Sequence, residues 1–197
     1  MNRAKRLYLL RHGRTAAGAR YIGATDLPLA PEGMEDIARI APYLSRQRID
    51  SIHCSPLLRC RQTLEILGLG GMPQIVDDLR EIDFGGWEGL TFAEICAQDA
   101  AAVDRWARWS EDFSFPQGES IRDFLKRIDG IKKMVLEGPG ERLLLVSHGG
   151  VIRQLVCSCL GLGPDNYLLF DIQPGLCAVI DLHPAGGVLA GLNQGGN

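Results

Sequence analysis

Leu143-Leu144-Leu145-Val146-Ser147-His148-Gly149-Gly150 is an apolar run that stops abruptly at a serine, a histidine and two glycines. A short run without polar alternation suits a strand covered on both faces, and the glycines turn it into a helix that extends to Leu160. The same design stands near the start, where residues 7–10 (Leu-Tyr-Leu-Leu) run into Arg11-His12-Gly13.

Between these two strand-to-loop junctions the pattern alternates. Met34, Ile37, Ala38, Ala41 and Leu44 fall at spacings of three and four, and Pro31 suits a first helical position. Residues 51–54 read as a short strand, after which Ser55-Pro56 reads as an N-cap and N1 proline opening a helix through Leu67. Residues 74–76 predict another strand, leading to the glycine-punctuated loop 84–89. The pattern from Thr91 to Val135 is helical apart from a break at 115–118, with Ile121, Phe124, Leu125, Ile128, Ile131 and Val135 on one face. Residues 176–182 and 188–192, joined by His183-Pro184-Ala185-Gly186-Gly187, read as a closing hairpin.

This order predicts an α/β fold, a three-layer α/β/α sandwich with a mostly parallel central sheet and an antiparallel C-terminal edge. In sheets of this class ligands bind beyond the carboxyl ends of the strands. There the sequence places Arg11-His12, Arg59, Glu81 and His148.

Bulk properties narrow the function. The 197 residues suffice for a single domain, and with 46% hydrophobic and 23% charged residues it needs no staple to fold. A net charge of -3, with no Lys or Arg run longer than two, lacks the basic stripe of a nucleic-acid binder. The apolar run after the basic residues 1–6 is too short for a signal-peptide core and no stretch of 18 apolar residues occurs, so a cytoplasmic protein without a membrane is expected. The six cysteines show no Cys-x-x-Cys pairing, and they read as reduced thiols.

The converging residues suit one kind of chemistry. A phosphate monoester carries about 1.5 to 2 negative charges near neutral pH, so a nucleophile reaches phosphorus only where cations gather around the oxygens. Arg11, Arg59 and His148 would supply that cradle, and the positive field would keep His12 neutral and nucleophilic. Glu81 is placed to protonate the leaving oxygen and later to take a proton from water, with Asp83 as the fallback. Each residue has a plainer reading by itself: a strand-end histidine, a solvated arginine, an exposed acidic loop. Their joint occurrence favours catalysis.

Those residues resemble the histidine phosphatase superfamily, also called phosphoglycerate mutase-like. Arg11-His12-Gly13-x-Thr15 resembles its nucleophile motif, and residues 20–29, from Arg20-Tyr21-Ile22-Gly23 onward, its continuation. Residues 55–63 resemble the segment of the second phosphate arginine, 79–89 the acid-bearing loop, and Val146-Ser147-His148-Gly149-Gly150-Val151-Ile152-Arg153 the second histidine motif. The resemblance implies a phosphorylated nucleophile at His12, phosphate binding by Arg11, Arg59 and His148, an acid at Glu81, and neither metal nor other cofactor. Arg14, Thr15, Arg20, Tyr21, Gly23, Trp87 and Gly149 are candidates to contact substrate. Mutases of the family are longer, so this length looks like a phosphatase. The acid loop and Pro116-Gln117-Gly118-Glu119-Ser120 look most like the alpha-ribazole-5'-phosphate phosphatases of cobalamin synthesis. Two positions depart from the family pattern: Arg14 stands where glutamate is usual, and Gly18 where an asparagine commonly helps to bind phosphate.

Alternatives stay open beside this reading. A phosphoglycerate mutase or a broad-specificity sugar-phosphate phosphatase would share the motifs, and the change at Gly18 makes a phospho-ligand binding module conceivable. The run from Cys54 to Arg59 superficially resembles a thiolate phosphatase loop, but is one residue short and lacks its glycine. Trp87, Trp106 and Trp109 lie close together in sequence with Phe113 and Phe115. They suggest a lid-like helical insertion around 90–118 within the single domain 1–197, with ordinary core as the plainer reading. The expected partner is a small phosphomonoester, and the protein would be a monomer or a homodimer paired through the hairpin edge.

Overall fold

Tyr8 and Leu10 point to one side of their strand, Leu7 and Leu9 to the other, and all four are buried. A strand so covered must sit inside a sheet with layers on both faces. The computed structural model describes residues 4–183 and 185–196. Residues 1–3 of the basic amino-terminal stretch and Pro184 of the expected hairpin connection lie outside the described residues. The elements are β1 (Lys5–Arg11), α1 (Pro31–Ser45), β2 (Ser51–Cys54), α2 (Leu58–Leu67), β3 (Gln74–Ile75), α3 (Phe92–Ala107), α4 (Ile121–Glu137), β4 (Arg142–Ser147), α5 (Gly149–Leu160), β5 (Cys177–His183) and β6 (Gly186–Gln194).

The six strands lie in the order β3-β2-β4-β1-β5-β6. β1, β2, β3 and β4 run parallel, whereas β5 pairs antiparallel with β1 and β6 with β5. Tyr8, Leu10, Ile52, Cys54, Leu144 and Val146 pack against Ile37, Ile40 and Leu44 of α1 and Cys60 and Leu67 of α2. On the other face Leu7, Leu9, Leu143 and Leu145 meet Phe124, Ile128 and Ile131 of α4 and Val151, Ile152 and Leu155 of α5. This is the expected three-layer α/β/α sandwich with its antiparallel edge. No helix among the described residues is long and apolar enough to cross a membrane.

Local details differ from the sequence reading where tertiary contacts compete with propensity. The buried stripe of α1 is Gly33, Ile37, Ile40 and Leu44, while Met34 is exposed. Gly33 turns inward because the loop after β1 crosses it, and a Cβ there would sit 2.1 Å from the Arg14 carbonyl oxygen. Helix α2 begins at Leu58 rather than Pro56, so Ser55 is not its cap. The carboxylate of Asp26 instead accepts from Leu58 N at 2.6 Å. Helix α3 opens with a complete capping box between Thr91 and Glu94 and bends at Asp99, whose Oδ1 accepts from Ala102 N at 2.8 Å.

The glycines of the acid loop and of residues 115–118 explain one another. Gly85 adopts φ 53°, and a Cβ on it would meet Pro116 O at 2.2 Å. Gly86 N donates to that same carbonyl at 2.6 Å. Trp87, Phe113 and Phe115 are buried and belong to the hydrophobic core under α4 and α5, so part of the aromatic segment is continuous with the main core.

Candidate active site

Strand β1 ends at Arg11 and β4 at Ser147, paired in register, and His12 N donates to Ser147 O at 3.0 Å. This single bond sets the two histidine loops side by side. The His12 and His148 rings meet edge to face with centroids 5.0 Å apart.

The His12 ring lies with Nδ1 2.7 Å from the carbonyl oxygen of the next residue, Gly13. A carbonyl only accepts, so Nδ1 carries the proton and Nε2 keeps its lone pair. Burial, with help from the Arg59 and Arg11 guanidiniums, pushes the ring's pKa down to about 3. The imidazole is therefore neutral at physiological pH.

His148 is fully buried and both ring nitrogens are engaged. Arg59 Nε donates to Nδ1 at 3.2 Å, which obliges Nε2 to carry the proton and donate to Ser55 Oγ at 2.8 Å. Burial pushes this imidazole's pKa well down too, the His12 ring and the nearby arginines adding to the effect. Arg59, in the first turn of α2 and 1% exposed, also donates from Nη1 to Thr25 O at 2.9 Å and from Nη2 to Gly23 O at 2.8 Å. Three of the five N–H groups of its guanidinium are thus held by protein.

Three consecutive residues gather the remaining groups. His148 holds Arg59; Gly149 lies under the Arg11 guanidinium, where a Cβ would come within 3.3 Å of Cζ; and Gly150 N donates to Glu81 Oε2 at 2.9 Å. Arg11 Nη1 donates to Ile172 O at 2.7 Å, while its buried Nε has no hydrogen-bond partner among the described residues. The turn from β4 into α5 thus touches the Arg59, Arg11 and Glu81 segments in succession, and its helix amino end adds positive potential.

A cavity of about 250 Å³ opens beside them. Arg11, Glu81, Gly149 and Gly150 line it together with Tyr21, Phe84, Trp106, Trp109 and Tyr167. Trp109 and Tyr167 stack with centroids 4.2 Å apart. Arg153, one turn into α5, also faces it. Among the described residues no three or more His, Cys, Asp or Glu side chains form a group that could hold a metal ion.

Not every sequence candidate reaches this place. Arg20 and Tyr21 line the cavity, Arg20 tied to Gly89 O at 2.7 Å and Glu94 at 3.1 Å. Arg14 turns to α1 and grips Asp36 through Nε and Nη2 at 2.6 and 3.0 Å, and Thr15 bridges to Leu29. Trp87 is core rather than cavity lining. Asp83 Oδ1 accepts from Gly85 N at 2.9 Å within its own loop. Gly18 has φ 62°, a left-handed conformation that glycine and asparagine both tolerate, and a Cβ there would meet no atom of the described residues within 4 Å. Ser55 as the partner of His148, Arg153 and Tyr167 in the cavity, and Glu88 carry no such signal in the sequence, although Arg153 lies inside the second histidine motif and Glu88 inside the acid-bearing loop.

The depressed histidine has a measurable consequence. In the unfolded chain it takes up a proton near pH 6.5, whereas in the fold His12 stays neutral to about pH 3. Between those values the unfolded state binds more protons, so stability falls as pH drops, by about 1.4 kcal/mol per pH unit for such a histidine. Urea unfolding of wild type and His12→Asn from pH 6.5 to 4.5 is expected to show a shallower pH slope in the variant by about that amount; equal slopes would refute it.

Residues 7–195 match the family model described as "Histidine phosphatase superfamily (branch 1)". The chain is 28% identical over 194 residues to the adenosylcobalamin/alpha-ribazole phosphatase of Salmonella typhimurium, covering 96% of each. It is 34% identical over 179 residues to the glucosyl-3-phosphoglycerate phosphatase of Mycolicibacterium vanbaalenii, covering 84% of this chain and 78% of that one. Among solved structures, the alpha-ribazole phosphatase of Shigella flexneri superposes with a TM-score of 0.86 at 26% identity, over 96% of both chains.

Proposed function

The chain belongs to the histidine phosphatase superfamily and is a phosphatase of that kind, and from this premise we propose that it works through a phosphohistidine at His12. The observation that carries the reading is the His12 tautomer: with Nδ1 bound to Gly13 O, the free lone pair is on Nε2 of a neutral ring. In the first step Nε2 bonds to phosphorus as the ester P–O bond breaks, and Glu81, as the acid, protonates the departing alkoxide. In the second, Glu81 takes a proton from water, the water oxygen bonds to phosphorus, and the N–P bond breaks to release phosphate. Arg11 and Arg59 stabilise the charge on the transferring group's oxygens, Arg59 through the two N–H groups that make none of its three bonds to His148, Thr25 and Gly23. His148 holds Arg59 in register through Nδ1, and its own bond to the phosphate requires Nε2 to leave Ser55 Oγ.

The alcohol half of the substrate lies in the aromatic-lined cavity, with residues 90–118 acting as a lid over it. Tyr21, Trp106 and Trp109 suit a flat leaving group, which favours alpha-ribazole 5'-phosphate among small phosphorylated metabolites. The relative acting on glucosyl-3-phosphoglycerate puts acid-bearing sugar phosphates on the same panel.

The test is phosphate release from alpha-ribazole 5'-phosphate, 3-phosphoglycerate and p-nitrophenyl phosphate with EDTA present, together with a rapid quench after a labelled substrate. EDTA-resistant turnover and an acid-labile, base-stable labelled protein are expected. Label that survives acid, or turnover abolished by EDTA, would sink the phosphohistidine route. A preference for 3-phosphoglycerate over the ribazole ester would sink the substrate assignment alone.

A further inference from the structure

Besides His148 at Nε, two backbone carbonyls rather than a carboxylate hold Arg59. Its Nη2 and Nη1 bind Gly23 O and Thr25 O, so the conformation of residues 23–25 decides where the guanidinium sits. That segment has no regular secondary structure. One side chain organises it. Glu88 Oε1 accepts from Gly23 N at 2.9 Å, Ala24 N at 3.0 Å and Phe84 N at 3.2 Å, while Oε2 accepts from Thr25 N at 3.2 Å and Thr25 Oγ1 at 2.6 Å. A carboxylate accepting several N–H groups makes bonds about twice as strong as neutral ones. The approach is close enough to require glycine: a Cβ on Gly23 would lie 1.8 Å from Ile82 O and 2.7 Å from Glu88 Oε1.

We propose that Glu88 is a positioning residue for the phosphoryl site, fixing residues 23–25 so that their carbonyls hold the Arg59 guanidinium against His148. This rests on the reading of Arg59 as a phosphate ligand. Glu88 touches no reacting atom. The loop has other attachments, because Tyr21 and residues 89–90 exchange backbone bonds at 2.8 Å and Asp26 caps α2, so the fold does not depend on Glu88 alone. Glu88→Gln keeps one acceptor oxygen but turns an amide NH2 toward Thr25 N–H, which frees the residue whose carbonyl holds Arg59 Nη1.

The test is a double-mutant cycle read by calorimetric binding of inorganic phosphate, with kcat/KM for p-nitrophenyl phosphate and thermal unfolding alongside. Glu88→Gln is expected to weaken phosphate binding about 10-fold, Arg59→Ala about 100-fold, and the double variant no more than about 2-fold beyond Arg59→Ala, since residues that act through one another do not add. A general loosening of the fold would give the same factor in both backgrounds. That additivity, an undiminished phosphate affinity in folded Glu88→Gln, or an undiminished affinity in Arg59→Ala would overturn the inference. If Glu88→Gln fails to fold, Thr25→Val removes only the hydroxyl bond and decides in its place: a loss of about 3-fold that vanishes without Arg59 supports the coupling, and no loss overturns it. Phosphate binding needs no turnover, so a chain that binds phosphate through Arg59 yet hydrolyses nothing would refute the proposed function and leave this inference standing.

Discussion

His12→Ala is expected to lower kcat/KM for every phosphomonoester by about 10⁴-fold or more, because a route through a covalent intermediate is lost with its nucleophile. Affinity for inorganic phosphate should change by less than about 10-fold, since the neutral ring contributes little to binding an anion that two guanidiniums hold. The split separates chemistry from binding. A binding module would lose neither, having no turnover to lose, and a histidine that merely supported the loop would cost affinity and activity together. The variant should also fold well. It gives up the Nδ1 bond to Gly13 but sheds a ring whose charged form the fold rejects, so relative to wild type it gains stability as pH falls toward 5. Steady-state kinetics, phosphate calorimetry and unfolding at two pH values check all three. Retention of even a hundredth of wild-type turnover would exclude His12 as the nucleophile.

What the sequence discloses follows physical lines. Strands buried on both faces write themselves as unbroken apolar runs, so β1 and β4, and with them the places of Arg11, His12 and His148, are legible at once. Glycines forced by close approach, as at Gly13, Gly23 and Gly150, are visible as motif but mute as to cause, because the crowding atoms come from Gly33, Ile82 and Glu81 in distant segments. The start of helix α2 is hidden for the same reason: Ser55-Pro56 has the local chemistry of a cap, but the Ser55 hydroxyl is claimed by His148, 93 residues away, and the cap arrives from Asp26. Helical spacing also fits two neighbouring faces of α1 about equally, and only the crossing loop at Gly33 selects between them. Glu88 is masked by its setting in an acidic loop, where one more carboxylate looks like solubility. Nothing in a linear pattern announces that five donors from two segments converge on it.

Glu81→Gln is expected to separate substrates by their leaving groups. For an alkyl phosphate the departing alkoxide needs a proton, and loss of the acid should lower kcat/KM by about 10²- to 10⁴-fold. The p-nitrophenolate ion leaves near neutral pH without one, so kcat/KM for p-nitrophenyl phosphate should fall far less. Its kcat should nevertheless drop, because hydrolysis of the phosphohistidine still wants a base for the attacking water, and Glu81 is assigned both steps. The expected signature is a burst of p-nitrophenolate followed by slow turnover, with labelled protein accumulating during the slow phase. The amide oxygen can still accept from Gly150 N, so the substitution removes the proton function and keeps the tether to α5, giving up only the bond from Ile82 N to Oε1. Gly150→Ala attacks the tether instead. Its Cβ would stand 2.6 Å from Glu81 Oε1, so the carboxylate must move, and the same leaving-group pattern should appear in weaker form with the acid chemically intact. Equal losses for alkyl and p-nitrophenyl esters, with no burst in either variant, would remove Glu81 from the role and pass it to Asp83, whose carboxylate would first have to leave Gly85 N.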